Sequence, residues 1–113
     1  VSAIGASAPV KDDSTWTRTR SFIARPTERA MLRELEEEGF EWASKLLFCA
    51  KEATYKCWFP MTRRWLGFED ADIVLRTDGT FSSYILARPT PAPLFEGRWV
   101  AGDGYIIASV FVE

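Results

Sequence analysis

The chain has 113 residues, the length of one compact domain that can bury a core without metal or disulfide crosslinks. Its 14 basic and 16 acidic residues leave a formal charge of -2, and no run of Lys or Arg is dense enough to follow a phosphate backbone, which argues against nucleic acid as a partner. No stretch reaches the roughly 20 apolar residues of a membrane-spanning helix, and no signal peptide is evident. We therefore expect a soluble cytoplasmic protein that is not bound to a membrane.

The two cysteines and the absence of histidine limit the chemistry of the chain. Cys49 and Cys57 lie in one predicted helix about 12 Å apart along its axis, beyond the roughly 7 Å that a disulfide can bridge. We expect free thiols, as in a reducing cytoplasm. A structural zinc site or a histidine-based triad cannot be assembled from these residues, whereas a metal with oxygen ligands remains open.

Two features indicate that the chain is part of something larger. Aromatic residues make up 14% of it, more apolar bulk than so short a chain usually needs, which suggests that a missing lobe or a partner chain covers some of its surface. The opening Val1-Ser2-Ala3-Ile4-Gly5 is typical of a strand already in progress. We expect a fragment or a processed chain.

Two helices are predicted after an irregular connection over residues 6–21. The first opens at Pro26-Thr27, with Thr27 as N-cap and Glu28 in the first turn, and Gly39 closes it. The second runs from about Glu41 to Trp58, where Pro60 stops it. Its predicted core face contains Trp42, Leu46, Leu47, Ala50, Ala53, Thr54, Cys57 and Trp58.

A second stripe on the longer helix carries charge. Lys45, Cys49, Glu52 and Lys56 recur at helical spacing, and Lys51 flanks Glu52. One carboxylate beside two ammonium groups suits a polyphosphate bound to Mg²⁺. The same spacing more often means an ordinary surface ion pair, so the spacing alone decides nothing.

The second half of the chain reads as strands. Apolar and β-branched runs cover residues 71–77, 80–87, 95–101 and 105–112, with two-residue type I' turns expected at Asp78-Gly79 and Asp103-Gly104 and a longer connection at Pro89, Pro91 and Pro93. The predicted fold is a single α+β domain over residues 1–113, in which two helices pack on a three- to four-stranded antiparallel sheet that the opening strand joins.

Three stretches resemble one known family. Phe48-Cys49-Ala50-Lys51-Glu52-Ala53-Thr54-Tyr55-Lys56 is similar to the W/F-S/C-x-K-E-A-x-x-K signature of the 4'-phosphopantetheinyl transferase superfamily. Cys57 to Ala71 resembles the K-A-W-Y-P-L-T-x-x-x-L-x-F-E-D-A stretch of its actinobacterial members, and the segment from Phe95 to Gly104 resembles their F-E-G-R-W…G-E-G hairpin. The likeness covers residues 25–112 and matches the C-terminal lobe of the two-lobed, surfactin-synthetase-activating type.

The resemblance implies a transferase that serves polyketide and nonribosomal peptide biosynthesis. A serine of an acyl or peptidyl carrier protein attacks the β-phosphate of coenzyme A, and Mg²⁺ assists. Glu52 matches the metal ligand and Lys56 the lysine that binds the pyrophosphate. Lys51 matches a second lysine beside metal and phosphate, where it would assist proton removal from the serine. Proton removal by Glu52 through a metal-bound water is the equally compatible alternative.

The resemblance breaks at the opening strand. The family has G-I-D-x-E-P there, whose Asp and Glu are further Mg²⁺ ligands, whereas this chain has Ile4-Gly5-Ala6-Ser7-Ala8-Pro9 with Ser7 in place of the Asp. Asp12 and Asp13 are the nearest acids that would compensate, and the alternative is that they are solvated loop acids. The N-terminal lobe that holds the adenosine end of coenzyme A would have to come from elsewhere.

Three interpretations stay open. In the first, the chain is one lobe of a transferase that an N-terminal lobe or second chain completes. In the second, it is a catalytically defective or repurposed member that binds carrier proteins through exposed residues such as Phe59 and Met61. In the third, it is a self-sufficient small enzyme like the holo-acyl-carrier-protein synthases, with sites between identical subunits.

Overall fold

A computed structural model describes residues 2–9, 22–102 and 104–112, with side chains described in the last two ranges. The elements in chain order are β1 (Ser2–Pro9), α1 (Pro26–Glu37), α2 (Ala43–Thr62), a 3-10 turn (Phe68–Asp70), β2 (Ala71–Leu75), β3 (Thr80–Ile85), β4 (Leu94–Gly102) and β5 (Tyr105–Phe111). In this part of the chain, no helix combines the length and apolar character needed to cross a bilayer.

The strands form one antiparallel sheet in the order β1-β5-β4-β3-β2. The helices pack on it, which confirms the α+β fold class. The sheet has five strands because β1 pairs with the outer side of β5, one strand more than the three to four expected. The predicted strands in the second half are confirmed to within two residues at each end.

The structure corrects the start of the segment that was predicted to be irregular from residue 6, because residues 6–9 belong to a strand. β1 continues to Pro9 and pairs Ser7 with Ile107 after a register shift that follows Ile4. The second half of β1 is rich in Ala and Ser and has no apolar alternation. It is a strand because its backbone pairs with β5, and a local sequence pattern does not reveal such a long-range pairing. Residues 10–21, including Asp12 and Asp13, lie outside the described residues.

The two hairpin turns differ from each other. The pairing of Gly102 with Tyr105 leaves the two-residue loop that was predicted. At the other hairpin the Arg76 amide donates to the Thr80 carbonyl at 3.0 Å, which leaves a three-residue loop over 77–79. There Gly79 has a positive φ of 92° and Asp78 does not, so the predicted type I' turn is wrong.

The start of α1 corrects the predicted cap. Pro26 occupies the first helical position, for which its fixed φ is suited, so Arg25 is the N-cap residue instead of Thr27. The Thr27 hydroxyl donates to Asp72 Oδ1 at 2.7 Å. Glu28 Oε1 accepts a hydrogen bond from the Arg25 amide at 2.7 Å and thereby satisfies one of the free donors at the helix start.

The long helix α2 passes through the proline that was expected to stop it. Pro60 lies in the last turn, where its missing N–H removes one hydrogen bond, and the helix ends at Thr62. Arg63 then adopts a left-handed conformation and its amide donates to the Phe59 carbonyl at 2.7 Å. The predicted core face of α2 is confirmed, with Trp42 half-buried and the others buried.

The core lies between α2 and one face of the sheet. Side chains of that face in the core include Ile73, Phe81, Phe95, Ile106 and Val110.

The backbone of β4 approaches the Phe81 ring so closely that only glycine fits there. A Cβ at Gly97 on β4 would lie 2.2 Å from the Phe81 ring on β3. The Gly97 of the F-E-G-R-W stretch is therefore a packing requirement of the hairpin.

Candidate functional site

A pocket of about 330 Å³ opens between the second half of α2 and the segment that leads into β2. Four residues of α2 and five of the facing segment line it, namely Lys51, Glu52, Tyr55, Lys56, Trp65, Leu66, Gly67, Phe68 and Ala71. One wall is therefore charged and the other is mainly aromatic and apolar, as is typical of small-molecule sites.

Glu52 and Lys56 lie where the pocket meets solvent. Lys56 Nζ is 4.0 Å from Glu52 Oε2, and the two side chains are 54% and 34% exposed. A solvated pair at this distance is weak, so either group can exchange its partner for a ligand. The charged stripe reaches solvent only here, because Lys45 and Cys49 on the same stripe are buried.

Lys51 is buried, unlike Glu52 and Lys56, which reach solvent. Its side chain is 3% exposed, and its ammonium lies 2.9 Å from Glu28 Oε1. The ammonium also donates to the carbonyl of Ala71 at 3.0 Å and to the carbonyl of Phe68. Since an ammonium has three protons, each proton has an acceptor within the protein.

Glu28 is the partner of Lys51 that sequence reasoning missed. Its carboxylate is fully enclosed; Oε1 accepts from the Arg25 amide and from Lys51, and Oε2 accepts from the Ile73 amide at 2.7 Å. Burial raises the pKa of Glu28, although the Lys51 charge opposes the shift, and burial likewise lowers the pKa of Lys51. In the sequence, a Glu in the first turn of a helix indicates only a favourable dipole interaction, so nothing linked it to Lys51.

The described residues fit a divalent metal only in part. Glu52 is the one acidic side chain lining the pocket in this part of the chain, and here no three Asp, Glu or Cys side chains are grouped as a metal site requires. Ser7 lies in β1, where only the backbone is described, and Asp12 and Asp13 lie outside the described residues. A Mg²⁺ ion would take Glu52 as one ligand and would need oxygen ligands from elsewhere.

The predicted docking residues lie beyond the pocket, in the last turn of α2. Phe59 is partly exposed, with its ring 5.8 Å from that of Tyr55 and the Arg63 guanidinium 5.7 Å above it. Met61 is half-buried against the core. The Trp65 ring lies 5.2 Å from Tyr55 and is 74% exposed, so an aromatic rim runs from the pocket to Phe59.

Comparison of the sequence with known proteins identifies its family. The sequence model of the 4'-phosphopantetheinyl transferase superfamily matches residues 6–110. The chain is 42% identical over 98 residues to the 4'-phosphopantetheinyl transferase PptT of Mycobacterium tuberculosis, covering 78% of this chain and 43% of the relative. It is 39% identical over 102 residues to the 4'-phosphopantetheinyl transferase Npt of Nocardia iowensis, covering 78% of this chain and 45% of the relative.

A third relative, the 4'-phosphopantetheinyl transferase Svp of Streptomyces mobaraensis, is 34% identical over 103 residues, covering 81% of this chain and 40% of the relative. The chain thus spans less than half the length of each of these relatives. The family model covers most of the chain, including both helices and most of the sheet. The chain belongs to the 4'-phosphopantetheinyl transferase superfamily.

Proposed function

We propose that this chain is one lobe of a Mg²⁺-dependent enzyme that transfers 4'-phosphopantetheine from coenzyme A to a serine of an acyl or peptidyl carrier protein. The observation that carries the proposal is the placement of Glu52 and Lys56 at the mouth of a pocket, on the helix that bears the family signature. The names of the three relatives, each a 4'-phosphopantetheinyl transferase, support the transferase class.

The reaction needs a held phosphate and an acceptor for a proton. The serine oxygen bonds to the β-phosphorus of coenzyme A, the bond from that phosphorus to the bridging oxygen breaks, and adenosine 3',5'-bisphosphate leaves. Lys56 would bind the pyrophosphate as its negative charge redistributes, because its ammonium is exposed and only weakly paired. Glu52, at the same mouth, would accept the proton of the serine hydroxyl.

The apolar wall of the pocket suits the rest of the donor. The pantetheine arm is uncharged and narrow, and Tyr55, Trp65 and Phe68 present aromatic surface beside the charged wall. A donor with its pyrophosphate at Lys56 could extend its arm along these rings. Mg²⁺, when bound, would neutralise phosphate charge, with Glu52 as the ligand that this chain contributes.

The test is a transfer assay with an apo carrier protein, coenzyme A and Mg²⁺, read by mass spectrometry of the carrier. We expect transfer when the chain is combined with an N-terminal lobe from an actinobacterial relative, and loss of transfer in Glu52→Gln and Lys56→Met. Glu37→Gln and Arg33→Met, at exposed positions of α1 that do not line the pocket, are the matched controls. Normal transfer by Glu52→Gln would refute the role of Glu52.

A carrier-binding module without catalysis is the second candidate, and the incomplete metal ligand set of the described residues favours it. It predicts binding of the apo carrier protein without transfer under every combination of lobes, and weaker binding by Phe59→Ser. Transfer by the chain alone would instead indicate a self-sufficient enzyme of the holo-acyl-carrier-protein synthase kind, and an oligomeric state above monomer would support it.

A further inference from the structure

We propose that Glu28 and Lys51 are positioning residues that hold the two walls of the pocket together, and that Lys51 does not bind phosphate. The proposal rests on the proposed function, because it concerns the pocket assigned to coenzyme A. It gives Glu28 a role that the signature helix does not suggest, and it separates the two lysines of that helix.

The contacts of Lys51 connect one wall to the other. Its side chain starts from α2, the charged wall, and its ammonium binds the carbonyls of Phe68 and Ala71, which both line the opposite wall. These two carbonyls lie at the two ends of the short turn that leads into β2. The lysine thus fixes the distance between α2 and the aromatic wall.

Glu28 completes this connection from behind. Its carboxylate supplies the countercharge to Lys51 and accepts the amides of Arg25 and Ile73, so one carboxylate ties the start of α1 to β2 and to α2. If Lys51 turned toward a phosphate, Glu28 would remain as an enclosed carboxylate without its cation. The carbonyls of Phe68 and Ala71 would lose a donor as well, and each loss opposes the movement.

Lys56 provides the contrast within the same helix. Its ammonium has one carboxylate at 4.0 Å and its side chain is mostly exposed, so it can reach a phosphate at little cost. Two lysines five positions apart therefore have separate tasks. One binds the ligand, and the other sets the shape of the cavity that receives it.

The decisive experiment compares two ligands, coenzyme A and pantetheine, which lacks phosphate. Binding is measured by NMR titration of the chain joined to the N-terminal lobe of an actinobacterial relative. Lys56→Met should weaken binding of coenzyme A by about tenfold and leave pantetheine within about twofold. Lys51→Met and Glu28→Gln should weaken both ligands by the same factor, because they distort the cavity. A loss in Lys51→Met that is confined to coenzyme A would overturn the proposal.

A second measurement uses the same joined protein without substitutions, in case these variants fail to fold. With ¹⁵N-labelled lysine, the enclosed Lys51 ammonium should exchange its protons with water far more slowly than the Lys56 ammonium. Added coenzyme A should shift the Lys56 resonance more than that of Lys51. Fast exchange at Lys51, or a coenzyme-induced shift as large as that of Lys56, would refute the assignment.

The same two measurements separate this proposal from the proposed function. If the unsubstituted chain, joined to the N-terminal lobe of an actinobacterial relative, binds neither coenzyme A nor pantetheine, the proposed function fails. The exchange rate of the Lys51 ammonium can be measured without ligand, so it still tests whether this ammonium is held within the protein.

Discussion

Lys51 Nζ lies 2.9 Å from Glu28 Oε1 with both side chains enclosed, at 3% and 0% exposure. On the same helix, Lys56 and Glu52 form a looser pair in solvent. Low dielectric strengthens the enclosed interaction and makes the loss of either partner costly, whereas water screens the exposed one. Mutation of the enclosed pair should therefore lower stability, whereas mutation of the exposed pair should lower activity with little change in stability.

Lys51→Met should lower the free energy of unfolding by about 3–5 kcal/mol, because it leaves the Glu28 carboxylate enclosed without a cation. Urea unfolding at neutral pH measures the change. The double variant Glu28→Gln with Lys51→Met, in which neither side chain is charged, should recover part of the loss. An unchanged unfolding midpoint in the single variant would mean that the pair contributes nothing.

The stability loss of Lys51→Met should depend on pH. Burial raises the pKa of Glu28, and the Lys51 charge is the largest influence opposing it, so removing that charge raises the pKa of Glu28 further. A carboxyl whose pKa is raised by folding favours the folded state most when it is protonated. The deficit should thus shrink as pH falls through the folded pKa of Glu28 toward its ordinary value.

Arg25 and Asp72 also lie near this pair, and the Lys51→Met protein and the wild type share them. The difference between the two proteins therefore isolates the effect of Lys51. Unfolding free energies at about pH 5 and about pH 7.5 suffice for the comparison. A deficit that grows toward low pH would contradict the assignment to Glu28.

Glu52→Gln and Lys56→Met should leave the free energy of unfolding within about 0.5 kcal/mol of wild type, since the pair is solvated and weak. If Glu52 takes the serine proton, its loss should reduce the transfer rate by about 100- to 10,000-fold. Thermal unfolding and the carrier-protein mass assay measure the two effects on the same samples. A destabilised and inactive Glu52→Gln would point to a structural role instead.

Gly97→Ala should destabilise the protein by about 1–3 kcal/mol, because its Cβ would lie 2.2 Å from the Phe81 ring in a closely packed core. Gly102→Ala, on the same strand with nothing within 4 Å of its Cβ, is the matched control. Replacing the ring by the smaller leucine side chain, with Phe81→Leu in the Gly97→Ala background, should recover stability. Equal unfolding midpoints for the two glycine variants would disprove the close approach.

The sequence predicted the elements whose signals are local. The four later strands follow from runs of β-branched and aromatic residues, and the two-residue loop before Tyr105 follows from Asp103-Gly104. Predictions from local signals were wrong or incomplete where tertiary packing determines the structure. Pro60 is accommodated in the last turn of α2, and Glu28, which looks like an ordinary acid near a helix start, is recruited by Lys51.

The residues of the candidate site were likewise predicted only where the sequence signal is local. The family signature located Glu52 and Lys56, because its residues are consecutive on one helix. The aromatic wall from Trp65 to Phe68 was not predicted, since it meets α2 only after the chain turns back. Neither hydrophobic periodicity nor motif spacing predicts such a long-range contact.

The thiols of α2 should be unreactive in the folded protein. Cys49 and Cys57 are free and fully buried, and burial, with the charge of Glu52, raises the pKa of Cys49 to about 11. Burial raises the pKa of Cys57 as well. Since the thiolate is the reacting species, a disulfide reagent at about pH 8 should label neither residue until denaturant is added.

A Glu37→Cys variant supplies an exposed thiol on α1 and should react at once under the same conditions. Because Cys49 and Cys57 flank Glu52 and Lys56 on α2, their protection reports that this helix is seated on the sheet. Rapid labelling of either native cysteine in assay buffer would contradict the buried placement of α2. Slow labelling in the Glu52 and Lys56 variants would show that their loss of activity arises in a folded site.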